Sequence, residues 1–208
     1  MESALMQSWH CLIGRAGLAG ASILGEQLVA RYAQSRRCYH GVAHLAHIVG
    51  LLEQMQADDH LLLAAWFHDA VYRAGDPGNE RKSAALAQSS LERFGYPRAS
   101  AEFVAEAVLA TAAHQPDPRF DALLDADMSI LGASREDYRR YRDGVRREYR
   151  LVPESMFRKG RLAFVEALLR RPAIFQTTWC SSRFESAARA NLQAEYRELI
   201  AAGALRCA

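Results

Sequence analysis

The sequence predicts an all-α fold on three observations. Alanine occurs 37 times and leucine 24 times among 208 residues, against 18 for valine, isoleucine and threonine together. Alanine and leucine lose little on entering a helix, whereas β-branched side chains favour strands. Glycine and proline gather between segments of helical periodicity, as helix punctuation does. No internal repeat, low-complexity tract or long linker interrupts the chain, so a single helical domain over 1–208 is expected.

The first twenty residues read as a short helix and a turn rich in glycine (Gly14, Gly17, Gly20). Helices are then expected over 21–34, 41–55, 59–72, 80–94, 99–113, 121–131, 134–151, 154–169 and 182–202. Asp58 or Asp59 suits an N-cap ahead of His60-Leu61-Leu62-Leu63. Asp76-Pro77-Gly78-Asn79 reads as a turn, with Asn79 capping the helix that follows. Gly95-Tyr96-Pro97 and Pro116-Asp117-Pro118 end helices. Ser134 with Asp137 resembles a capping box, Pro153 suits a first helical turn, and Pro172 stops that helix.

Lys plus Arg is 26 and Asp plus Glu is 24, a net +2 that gives no electrostatic case for nucleic acid. The longest uncharged run, Cys38 to Leu52, has fifteen residues and three histidines; a membrane span needs about 18 or more apolar ones. No basic cluster follows Met1-Glu2, so no secretory signal is expected. Cys11, Cys38, Cys180 and Cys207 show no paired spacing and read as free thiols in a reducing cytoplasm. Arg135 to Arg150 holds seven arginines and four acids. It reads as a solvated helix face with i,i+4 pairs, or as a face from which one or two arginines reach a phosphate.

The chemistry is signalled by histidine. Five of the seven, His40, His44, His47, His60 and His68, fall within 29 residues. His40, His44 and His47 have the spacing of one helical face. The His68-Asp69 pair closes the apolar run from Leu61 to Phe67, where an acid is costly to bury unless paired or metal-bound. Adjacent side chains leave a helix about 100° apart, so the two converge on one ion only if it sits over the ridge between them. Asp125 and Asp127 lie in a further apolar segment, and His114 follows Val108 to Ala113. A histidine, a His-Asp pair 24 residues on and an Asp 58 residues beyond that pair make a metal site the expected reading.

The order His44, His68-Asp69, Asp127 resembles the HD-domain metal-dependent phosphohydrolase superfamily. The fuller set resembles one bacterial branch of it, predicted HD-superfamily hydrolases of about this length. The matching stretches are Arg37-Cys38-Tyr39-His40-Gly41 with His44, Trp66-Phe67-His68-Asp69-Ala70-Val71-Tyr72, Asn79-Glu80 with Ser83-Ala84, and Thr111 with His114. Further on come Asp125 to Gly132, Arg147-Glu148-Tyr149, Gly160-Arg161, and Glu185 with Ala188 to Leu192. The likeness spans about 35 to 200, and Gly41 departs from it where an Asn is the pattern. It implies an HD-type helical bundle with a metal-binding core over about 35–135 and C-terminal helices over 134–202 packing on it. One divalent ion (Fe, Mn, Zn, Ni, Co or Mg) would be held by His44, His68, Asp69 and Asp127, with a second metal as an alternative.

Around those ligands His40 and His114 are candidates to orient a phosphate, shuttle a proton or bind the second metal. Glu80 is a candidate to steady a ligand histidine or a base, and Arg37 and Arg161 to clamp phosphate. Asp125 and His47 are expected to support the site or pack beside it, and His10 and His60 to have no part. The expected activity is hydrolysis of a phosphate ester, with a small phosphorylated substrate, no nucleic acid or membrane, and a homo-oligomer open. A di-iron oxygenase and a non-enzymatic nucleotide- or metal-binding protein are the competing readings.

Overall fold

The structure is a computed structural model that describes residues 2–18 and 20–204, with side chains as far as 201. Among these residues there are ten α-helices and no strand. They are α1 (Glu2–Arg15), α2 (Ser22–Tyr32), α3 (Val42–Gln54), α4 (Asp59–Phe67) and α5 (Asn79–Arg93). There follow α6 (Arg98–Ala110), α7 (Asp121–Met128), a 3-10 turn (Ser129–Gly132), α8 (Arg135–Glu148), α9 (Glu154–Leu169) and α10 (Thr178–Ala204). No helix of the described residues is long and apolar enough to cross a membrane. Cys11 and Cys38 are exposed free thiols and Cys180 is a buried one; Cys207 lies outside the described residues.

The chain forms two compact units, Met1–Asp127 and Met128–Ala208. In the N-terminal unit α4 is apolar on every side, with all residues from Leu61 to Phe67 buried. A helix of that kind has no solvent face, and α1, α3, α5 and α6 pack around it. Asp58 caps it, as the sequence suggested, by accepting from the His60 N–H at 2.8 Å. Trp9 of α1 packs against Trp66 with ring centroids 4.8 Å apart and donates its indole N–H to the Ala21 carbonyl at 3.0 Å. Gly25 makes room for that indole: a Cβ there would lie 2.4 Å from the Trp9 ring.

Helix α4 stops at Phe67, five residues short of the expected 72, and His68-Asp69 occupies the turn beyond it. The backbone groups of that turn find partners on side chains. The Tyr32 hydroxyl accepts the Asp69 N–H at 3.1 Å. The Arg37 guanidinium donates to the Asp69 carbonyl at 2.7 Å and the Ala70 carbonyl at 3.3 Å. Ser83 accepts the Val71 N–H at 3.0 Å. A buried backbone so satisfied has no need of the helical ladder. Asn79 likewise differs from its expected role: Gly78 is the N-cap of α5, and the Asn79 amide bonds both the N–H and the C=O of Arg73 at 2.9 Å. Pro153 is the N-cap of α9 rather than its first helical residue.

In the C-terminal unit α10 packs on α9 and on the 3-10 turn. Gly132 permits the latter contact, since a Cβ there would fall 2.6 Å from Phe184. Asn191 fixes it by donating to the carbonyls of Leu131 and Ala133, both at 2.9 Å. Ser134 caps α8 by accepting the Asp137 N–H at 3.1 Å. The Glu185 carboxylate accepts the N–H groups of Ile174 and Phe175 at 3.0 and 3.1 Å, which holds the chain entering α10.

Candidate metal centre

Three helix ends bring the site together in the N-terminal unit. His44 rises from the first turn of α3, His68 and Asp69 from the turn after α4, and Asp127 from the last turn of α7. The early stop of α4 resolves the directional conflict between adjacent helical residues: in the turn both His68 and Asp69 face His44. The His44 Nε2 lies 3.1 Å from the His68 Nε2, 3.3 Å from Asp127 Oδ1 and 3.8 Å from Asp69 Oδ2. The His68 Nε2 lies 3.4 Å from Asp69 Oδ2 and 3.9 Å from Asp127 Oδ1. His44, His68 and Asp127 thus form a buried group whose donor atoms all lie within 4.8 Å of one another, which could hold a metal ion. Asp69 stands against both imidazoles.

The donor set is turned inward by its surroundings. The His68 Nδ1 donates to the Ala65 carbonyl at 2.7 Å. A carbonyl only accepts, so Nδ1 carries the proton and the Nε2 lone pair faces the cluster when the ring is neutral. Burial drives the His44 pKa down, partly offset by Asp127, and keeps that ring neutral. Burial also opposes the charge on His68, but Asp69 and Asp127 outweigh it and hold the imidazolium up to about 9. Burial alone would raise both acids; the facing imidazoles hold Asp69 and Asp127 well below the usual carboxylate range. Without a cation, a proton on His68 relieves the repulsion between nitrogens 3.1 Å apart.

The remaining candidates fall in different places. His114 reaches the other oxygen of Asp127, its Nε2 lying 2.8 Å from Oδ2. It does so from a left-handed backbone conformation (φ 47°) just beyond α6, a strained position for a residue with a Cβ. His40 lies ahead of α3 rather than on it, so the three-imidazole helical face does not form. Its half-buried ring packs against His44 at 5.5 Å and Tyr72 at 4.5 Å. His47 is exposed and Asp125 is buried within α7. Glu80 is half-buried in the first turn of α5, where its carboxylate makes no hydrogen bond or ion pair with another described residue. His60 bonds Asp58.

Both arginines named as phosphate clamps have partners within the protein. Arg37 is buried between the rings of Tyr32 and Tyr72, at 5.0 and 5.4 Å, and its guanidinium grips the carbonyls of His40, Asp69 and Ala70. Arg161 belongs to the C-terminal unit and makes a two-pronged bond to Glu195 at 2.8 and 3.0 Å. Tyr32 was not singled out from the sequence. Its hydroxyl holds the Asp69 N–H and stands 3.5 Å from His68 Nδ1. Nothing but its place five residues before Arg37 marks it in the sequence.

The fold and site define an all-α protein with a buried His-His-Asp group that could hold a metal ion. Set beside models of known protein families, curated proteins and solved structures, the chain matches none of them.

Proposed function

We propose that the protein is a metal-dependent phosphohydrolase with an HD-type helical core, holding one divalent ion on His44, His68, Asp69 and Asp127. The observation that carries this reading is the set of donor separations. Donors about 2.1 Å from one ion stand about 3.0 Å apart along an octahedral edge and about 3.4 Å along a tetrahedral one. The five separations given above run from 3.1 to 3.9 Å. Two imidazoles and two carboxylates suit Fe, Mn, Zn, Ni or Co.

An ion bound there would supply a water of lowered pKa and polarise a phosphoryl oxygen. The chain's own residues prepare the place for it. His114 fixes the plane of the Asp127 carboxylate and, half-buried, is able to hold or move a proton at Nε2. His40, half-buried beside His44, is able to do the same. The substrate class is a small phosphate ester, nucleotides included. Metal analysis of the purified protein together with a screen of phosphomonoesters and nucleotides tests the reading. About one equivalent of metal and a turnover that disappears with Asp127→Ala support it; turnover equal in parent and variant overturns it.

A two-metal form has one observation in its favour. The two oxygens of Asp127 face different imidazoles, His44 at 3.3 Å and His114 at 2.8 Å, as a bridging carboxylate would. Two equivalents of iron, falling to one in His114→Ala, would select that form and the oxygenase chemistry open to it.

A further inference from the structure

The basic stretch over 135–150 supplies none of the donor residues of the metal centre, and within the C-terminal unit most of its guanidiniums are engaged. Arg140 pairs with Glu136 at 2.7 Å and Asp137 at 3.3 Å. Arg142 pairs with Glu195 at 3.2 Å and Glu198 at 2.7 Å. Arg146 binds Glu154 at 2.8 Å, and Arg147 donates to the Asp143 carbonyl at 3.3 Å. A solvated face with short-range pairs accounts for these. It does not account for Arg135 and Arg139, which make no hydrogen bond or ion pair with another described residue.

These two arginines stand one turn apart on α8 and, with Arg142 and the buried Tyr138, line one side of a cavity of about 270 Å³. Asn191 and Glu198 of α10 line the other. Long polar side chains span the space between the two helices: the Tyr138 hydroxyl and the Arg142 guanidinium both meet Glu195. Asn191 is fixed by its two bonds to backbone carbonyls. Glu198 is neutralised by Arg142, so the charge left over in the cavity is that of Arg135 and Arg139.

We propose that this cavity between α8 and α10 binds a phosphoryl group carried by a small molecule, gripped by Arg135 and Arg139. Planar guanidinium forks match phosphate oxygens in pairs. Two forks a turn apart, about 5.4 Å along the axis, suit a dianion with three or more acceptor oxygens better than a single carboxylate, which one fork satisfies. The pocket brings no carboxylate that is not already paired. The inference is independent of the metal chemistry proposed above.

The arginine Nε–H signals of the 15N-labelled, metal-loaded full chain, titrated with inorganic phosphate, test it. Arg135→Lys and Arg139→Lys assign the two signals. Both are expected to move saturably with phosphate, well beyond the signal of Arg150, and to do so equally in Asp127→Ala. Arg135→Gln with Arg139→Gln should weaken phosphate binding at this site by about tenfold or more, the loss expected for charged hydrogen bonds, with metal content unchanged. Signals that move no more than Arg150, or as much with chloride at equal ionic strength, overturn the proposal. So does movement that vanishes in Asp127→Ala, which would place the only phosphate at the metal. Should the double variant fail to fold, the titration of the parent signals decides alone.

Discussion

Arg161 and Glu195 in the C-terminal unit meet as a guanidinium fork on a carboxylate, with the Tyr138 and Tyr141 hydroxyls completing the group. In the N-terminal unit His44, His68, Asp69 and Asp127 meet donor atom to donor atom. Both groups are buried and polar, but only the first is closed. Arg161 and Arg142 hold Glu195 below its ordinary value against the burial that would raise it, and each charge has its counter-charge in the chain. In the second, two imidazoles and two carboxylates crowd one point, and the positive charge among these four residues is the proton on His68. A closed polar group serves the fold, whereas the open one could hold a metal ion.

Asp127→Ala breaks the comparison most sharply. It should reduce bound metal and take phosphate-ester turnover to background while the helical content stays, as metal per chain, rate and circular dichroism would show. Glu195→Ala should do the reverse. A buried Arg161 left without its carboxylate costs about 3–5 kcal/mol, whereas replacing both partners with apolar groups is often neutral. Denaturant unfolding should therefore show a large loss for Glu195→Ala, much of it recovered in Arg161→Met with Glu195→Leu, and metal content should be the same in both.

The two groups also differ in their response to pH. In metal-free protein the His68 pKa is raised from 6.5 to about 9. Its contribution, on the order of a few kcal/mol, is then fully present below pH 6.5 and lost as pH rises through 9. The Glu195 pKa is depressed from 4.5, so its contribution is present above 4.5 and lost as pH falls through the folded value. Asp69 and Asp127, depressed from 3.8, add to the acid loss. Unfolding curves across pH should show an alkaline decline that His68→Gln flattens and Glu195→Gln does not. A metal must displace the His68 proton, so its affinity should rise with pH up to about 9.

His114→Ala sharpens the first group without dissolving it. Loss of a partner that orients a ligand typically weakens metal binding by about 10–100-fold; one equivalent should remain at saturating metal, measured by competition with a chelator. The smallest effect is expected at Gly41. It is the N-cap of α3 with φ −108° and no side-chain cap, and a Cβ there meets only ordinary contacts, 3.4 Å from the Tyr32 carbonyl at closest. Gly41→Asn should stabilise the protein by a few tenths of a kcal/mol, read as a small rise in Tm; a fall in Tm would show that the cap geometry is wrong for Asn.

Helix positions were legible because their causes are local. Apolar periodicity, Asp58 and Ser134 caps and proline stops all act within a few residues, and the observed helices follow the expected ranges closely. The clustering of histidine likewise marked His44 and His68, and acids in apolar segments marked Asp69 and Asp127. The end of α4 was not legible, because what ends it lies more than thirty residues upstream in Tyr32 and Arg37. For the same reason the three carbonyl contacts of Arg37 were not legible: a guanidinium looks alike in sequence whether it faces an anion or three carbonyls. His40 precedes α3, in keeping with the expected start at 41; the His40-His44-His47 spacing suggests a shared face because spacing alone does not say which of the three the helix includes.

Arg37 carries a consequence for anyone who would move this centre to another scaffold. Its guanidinium ties the loop that carries His40 to the turn that carries Asp69, and two tyrosine rings keep it in place. A graft of the four donor residues alone would leave the angle between His68 and Asp69 to whatever turn the host provides. The transplantable part is larger: Tyr32, Arg37 and Tyr72 travel with the donors, and a lysine, with one point charge in place of a fork, is no substitute for the arginine.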